Sequence, residues 1–132
     1  MKKLTFFTVL LLALTFSLLA GCGGSSNPPA TGGGSANTVT MSGVQFDSTS
    51  ITITKGSTIT FTTATGGAAH NLVVGMSGQP ATEQGSPTFP SGGMTVAAGA
   101  SWTTPPWNTA GTYHVTCTFH PTSMTMTVTV TG

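Results

Sequence analysis

Three side chains able to hold a soft metal ion fall within one turn-sized stretch of the chain, Cys117-Thr118-Phe119-His120-Pro121-Thr122-Ser123-Met124. A thiolate, an imidazole and a thioether together suit copper better than magnesium, calcium or a structural zinc, because sulfur donors are soft and the ring nitrogen is borderline. A trigonal site of two histidines and a cysteine, with a long axial methionine, needs one further imidazole, and His70 supplies it. His70 lies far from Cys117 in sequence, so the site closes only if the fold brings their loops together at one end.

Each residue also has a plainer reading. His70 follows a run of small residues and would serve as an ordinary polar loop residue, Cys117 as a buried apolar thiol, and Met124 as core. Taken jointly, Cys-x-x-His followed by Met, with a His-Asn pair upstream, favours the metal reading. His114 shares its strand with Cys117 but points to the opposite face, so it is expected to face solvent rather than the metal.

The start of the chain has a different character. Lys2 and Lys3 precede Leu4 to Ala20, an apolar run without a charge, and this reads as a secretory signal. The sequence Leu19-Ala20-Gly21-Cys22 resembles the lipobox of bacterial lipoproteins, which implies a signal peptide over 1–21 and a lipid on the Cys22 sulfur. The alternatives are an uncleaved anchor or an ordinary secretory signal. Of the 2 cysteines, lipidation takes one and leaves Cys117 alone in an oxidising compartment, where an unpaired thiol is a liability unless a metal occupies it. Residues 22–37 are Gly-, Ser- and Pro-rich without hydrophobic periodicity, the composition of a flexible tether. What remains, 38–132, is one domain.

Charge is nearly absent. The formal net charge of the whole chain is +1, and without Lys2 and Lys3 only Lys55 stands against Asp47 and Glu83. So weak a field neither tracks nucleic acid phosphates nor steers a strongly charged partner, which leaves a neutral or apolar contact surface as the expected mode of recognition.

From Thr38 onward apolar residues alternate with threonine: Val39 and Met41, Ile51 and Ile53, Ile59 and Phe61, then Met124, Met126, Val128 and Val130. This is the period of half-buried strands, and no stretch after the signal has helical period. Lys55-Gly56-Ser57 separates two runs at hairpin length. His70 to Val74 reads as a short apolar strand, 75–93 as a long loop without a pattern, and Met94–Val96 and Ser101–Thr104 as short strands. Tyr113, Val115 and Cys117 share one face of the next strand, with Thr112, His114 and Thr116 on the other. Trp102 and Trp107 read as core and turn packing. Seven or eight such strands make an all-β, two-sheet Greek-key sandwich.

With Ile51-Thr52-Ile53-Thr54-Lys55-Gly56, His70-Asn71, Ala110-Gly111-Thr112-Tyr113 and the Cys117 to Met124 loop in view, the domain resembles the cupredoxins, the blue copper proteins that include plastocyanin, azurin, pseudoazurin and amicyanin. The resemblance implies one type 1 copper ion, with His70, Cys117 and His120 as strong ligands and Met124 as the weak axial one. It implies that Asn71 ties the two ligand loops together and helps set the hydrogen bonding near the cysteine sulfur. The spacer of Pro121, Thr122 and Ser123 is intermediate in length between plastocyanin-like and amicyanin-like loops, and Met126, and more distantly Met76, remain alternatives to Met124. An apolar patch around His120, with Phe119, Pro121 and the small residues of 66–69, is implied as the contact for redox partner proteins. The expected protein is a monomeric, non-enzymatic one-electron carrier, lipid-anchored outside the cytoplasmic membrane. A copper delivery or storage lipoprotein with the same ligands is the chief rival, and a threonine-rich surface domain without metal is the third possibility.

Overall fold

The computed structural model describes residues 37–132. The signal segment 1–21, Cys22 and all but the last residue of the 22–37 tether lie outside the described residues.

Two β-sheets face each other, as the alternating pattern requires: each strand has one apolar face to bury, and a second sheet is the partner available to it. In the first sheet β1 (Thr38–Ser42) lies parallel to β4 (Thr60–Thr63), with Val39 opposite Phe61. Its edges are β2 (Gln45–Phe46) on β1 and β8 (Ser101–Thr103) on β4. The second sheet runs β3 (Ser50–Thr54), β10 (Thr125–Thr131), β9 (Gly111–Cys117), β5 (His70–Met76). The outer edge of β5 is shared between β7 (Met94–Val96) along its first half and β6 (Gln79–Pro80) at its end. There is no helix among the described residues. The described residues form ten strands, eight of them longer than two residues, in keeping with the expected sandwich, and the two-residue β2 and β6 are added at its edges.

Ile59, Phe61, Leu72, Val115, Met126 and Val128 fill the space between the sheets and are essentially inaccessible to water. Each contributes roughly 1.5–3 kcal/mol relative to an exposed position. Trp107 is fully buried and donates its Nε1–H to Thr104 Oγ1 at 3.1 Å, the same oxygen that accepts the Ile59 amide. Trp102 is half-buried between Phe61 and an edge-on Phe89. Both tryptophans therefore pack the core and its margin. Tyr113 donates its hydroxyl proton to the Thr109 carbonyl at 3.0 Å, pinning the turn that launches β9.

Four expectations change. Lys55-Gly56-Ser57 is not a hairpin: β3 pairs with β10 while β4 pairs with β1, so this turn carries the chain from one sheet to the other. It is held by Trp107, through Gly56 N–H to the Trp107 carbonyl and Trp107 N–H to the Ser57 carbonyl, both at 2.8 Å. The stretch 75–93 is patterned at its start, where Ser77 and Gly78, with φ of 52° and 72°, make the two-residue turn between β5 and β6. Its later part is anchored by Glu83, which accepts the His114 amide at 2.7 Å and pairs with His114 Nδ1 at 2.9 Å. His114 is therefore half-buried in a specific contact rather than solvent-facing. Thr116, expected in water, is completely buried because the Ser77-Gly78 turn folds over its face of the sheet.

Candidate metal centre

His70 opens β5 and Cys117 closes β9, its neighbour in the sheet; the register sets Leu72 opposite Cys117, two residues from His70. Adjacent antiparallel strands thus bring together residues that are far apart in sequence. After Cys117 the chain turns tightly. The Cys117 carbonyl accepts the His120 amide at 3.3 Å, and the His120 carbonyl accepts the amides of Ser123 at 3.2 Å and Met124 at 3.0 Å. The Met124 carbonyl then accepts the Cys117 amide at 2.9 Å, so the ends of the loop meet as one rung of the β9–β10 ladder.

The donor atoms converge. Cys117 Sγ lies 3.8 Å from His70 Nδ1 and 3.6 Å from His120 Nδ1, and the three donors lie within 4.8 Å of one another. Nitrogen and sulfur donors about 2.0–2.3 Å from a shared first-row ion stand roughly 3.5–4 Å apart in a trigonal arrangement. The spacing from Sγ to each imidazole therefore fits a common ion and is too long for strong hydrogen bonds. His70, Cys117 and Met124 are fully buried, while His120 is partly exposed.

Met124 stands directly across from Cys117 through the closing rung, whereas Met126 pairs with Val115 further along the strand, inside the core. Met76 is 52% exposed at the outer end of β5, which puts its thioether in solvent rather than in the donor cluster.

Asn71 bridges three segments. Its Nδ2 donates to Thr118 Oγ1 at 3.0 Å and to the Gly92 carbonyl at 2.9 Å, and its Oδ1 accepts from Thr95 Oγ1 at 3.2 Å. Its own carbonyl accepts the Thr118 amide at 2.9 Å. Gly93 makes room for this amide: at φ of 95°, a Cβ there would sit 2.6 Å from Asn71 Nδ2. Asn71 thus acts on the ligand loop through Thr118. Among the described residues the side-chain hydrogen-bonding contacts of Sγ are the two imidazoles alone.

Thr118, Thr116 and the Ser77-Gly78 turn support the site without having been singled out in the sequence. Ser-Gly between an apolar run and Gln79-Pro80 was the available signal for the turn. No signal marked the threonines, since threonine alternates through every strand.

His70 is held below the usual imidazole range, first by burial and second by the neighbouring His120. The fold therefore selects the neutral ring, the form that binds a metal. Its Nε2 is buried without a hydrogen-bond partner among the described residues, so the ring is oriented by packing.

The family profile for "Copper binding proteins, plastocyanin/azurin family" matches residues 34–131. No curated protein matches the chain in sequence. Among solved structures, amicyanin from Paracoccus versutus (Thiobacillus versutus) is similar with a TM-score of 0.56 and 22% identity, over 77% of this chain and 87% of that one. The reduced state of a proline-to-phenylalanine mutant of amicyanin has a TM-score of 0.54 and 23% identity, over 73% and 82% of the two chains. The reduced Cu(I) form at pH 4 of a proline-to-glycine mutant has a TM-score of 0.54 and 24% identity, over the same shares. At these identities the likeness is one of fold.

A buried imidazole with a depressed folded pKa adds stability above its unfolded value of 6.5 and loses that contribution as pH falls through the lower folded value. The metal-free protein is accordingly expected to melt at progressively lower temperature below about pH 6.5, and His70→Leu to weaken this dependence. Identical pH profiles for the melting temperatures of the two proteins would refute the burial argument.

Proposed function

The chain belongs to the plastocyanin/azurin family of copper-binding proteins, and from that premise we propose that it is a one-electron carrier rather than an enzyme. In this reading His70, Cys117 and His120 hold one copper ion as strong donors and Met124 is the weak axial donor. Bound there, copper would supply a Cu(II)/Cu(I) couple. The observation that carries the proposal is the convergence of Sγ and the two Nδ1 atoms, 3.6 and 3.8 Å from the sulfur, at a buried strand end. Three protein donors held by adjacent strands and one closed loop move little between oxidation states, which favours electron exchange over ligand rearrangement.

The chain's own residues prepare the path to the surface. His70, Cys117 and Met124 exclude water, while His120 reaches the edge. The exposed large hydrophobic residues among those described are Val44, Met76 and Phe119, at 48%, 52% and 54% exposure. All three border the ligand loop. Phe119 belongs to it, the Val44 carbonyl accepts the Ser123 hydroxyl at 2.8 Å, and Met76 precedes the turn whose Gly78 abuts Pro121. This end of the molecule is the surface we assign to redox partners, with the carrier acting as a monomer. A lipid on Cys22 and a tether over 22–37 would hold the domain at a membrane outside the cytoplasm.

Titration of the purified domain with copper is expected to give one equivalent bound and an intense thiolate-to-copper absorption in the red, reversible on reduction, and Cys117→Ser to abolish the band. A colourless protein whose bound Cu(I) resists oxidation supports delivery or storage instead, and absence of binding refutes both readings. On fractionation the full-length protein should sediment with membranes and Cys22→Ala should appear in the soluble fraction; a soluble wild-type protein rules out the anchor. Because the patch carries no charged side chain, the bimolecular rate of electron exchange with a partner should change by less than about threefold between low and high salt. A steep salt dependence would place docking elsewhere.

A further inference from the structure

The buried hydroxyl of Thr116 occupies a junction that the ligand set does not use. It donates to the Met124 carbonyl at 2.9 Å, accepts the Gly78 amide at 2.8 Å and lies 2.8 Å from Thr125 Oγ1, which in turn accepts the Ser77 amide at 3.2 Å. A hydroxyl has one proton and two acceptor positions, and here all three are committed. Because the proton of Thr116 goes to the Met124 carbonyl, which can only accept, Thr125 must donate to Thr116. The directions then run one way, from the Ser77 amide through Thr125 and Thr116 to Met124. The two amides that start the network belong to the positive-φ turn between β5 and β6. That turn also touches the loop sterically: a Cβ on Gly78 would lie 2.3 Å from Pro121 Cβ, beside His120.

We infer that Thr116 is a positioning residue, through which the Ser77-Gly78 turn braces the backbone at Met124 against Cys117 and thereby sets the strength of the axial thioether contact. The inference rests on the reading of Met124 as axial donor. Two bonds from β9 hold the Met124 carbonyl, one from the Cys117 amide and one from the Thr116 hydroxyl, and only the second continues, through the Gly78 amide, to the β5–β6 turn. Without the hydroxyl the Gly78 amide loses its acceptor, and the turn keeps only the Ser77 bond to Thr125 and the contact of Gly78 with Pro121. The thioether is then less firmly held toward the other three donors. A weaker axial donor stabilises Cu(II) less, so the reduction potential rises and the balance between the thiolate-to-copper bands changes.

Thr116→Val preserves shape and removes the hydroxyl, whereas Thr116→Ser preserves the hydroxyl. In the metal-free protein, exchange of the Gly78 amide should accelerate by about tenfold in Thr116→Val and remain near wild type in Thr116→Ser. In the copper-loaded protein the potential should rise and the band ratio shift in Thr116→Val, with both restored in Thr116→Ser. Thr125→Val, at a half-buried site, removes only the upstream donor and should shift the same quantities less, so the test survives if Thr116→Val fails to fold. Met124→Leu separates the inference from its premise. If Met124→Leu shifts the potential while neither Thr116→Val nor Thr125→Val does, the brace is only structural and the inference fails. If Met124→Leu leaves potential and spectrum unchanged, the axial reading fails and the inference falls with it.

Discussion

The bond from the Cys117 amide to the Met124 carbonyl is the closure on which the metal end of the molecule depends. It is the last rung of the β9–β10 ladder, and beyond it the chain turns through His120, whose carbonyl accepts two amides from the returning segment. With the rung formed, a thiol, an imidazole and a thioether are confined to a short closed loop whose ends are already fixed, which limits the entropy lost in gathering them. The fourth donor arrives independently on β5, because β5 is the next strand in the sheet.

Around this closure the supporting contacts are made by neutral groups. Asn71 links β5, the segment before β7 and the ligand loop; Thr116 links β9, β10 and the β5–β6 turn. Each is buried and each has its hydrogen-bonding atoms partnered, as a polar group removed from water must. The one acidic side chain tied to β9, Glu83, is engaged by the amide and ring of His114. Short neutral contacts, rather than a field of fixed charges, therefore surround the donors. The same scarcity of charge leaves Val44, Met76 and Phe119 as the distinctive surface of that end.

The alternation of threonine with Val, Ile, Met and Phe was enough to place most strands, because a period of two has one physical solution when half the residues must leave water. It was silent on which strands pair. Ile53 and Phe61 sit on neighbouring runs joined by a turn of hairpin length, yet they belong to different sheets, since β3 finds its partner in β10 and β4 in β1. Alternation also misplaced Thr116. Its side of β9 faces away from the core, but the β5–β6 turn covers that side, and a turn formed by residues 77 and 78 leaves no mark on the pattern around residue 116.

By itself the sequence determined the chemistry. The identities of His70, Cys117, His120 and Met124, the short spacing of three of them, and the neutral threonine-rich background point to a soft-metal site in an all-β domain, because donor softness and strand period are local properties. The tertiary structure decided the geometry. It set His70 beside Cys117, put Met124 rather than Met126 across from Cys117 on the returning segment, sent Met76 into solvent, and fastened the ligand loop to the Ser77-Gly78 turn. Those outcomes depend on register and on which strands become neighbours, and both are set by long-range pairing whose energy is shared across the whole sheet.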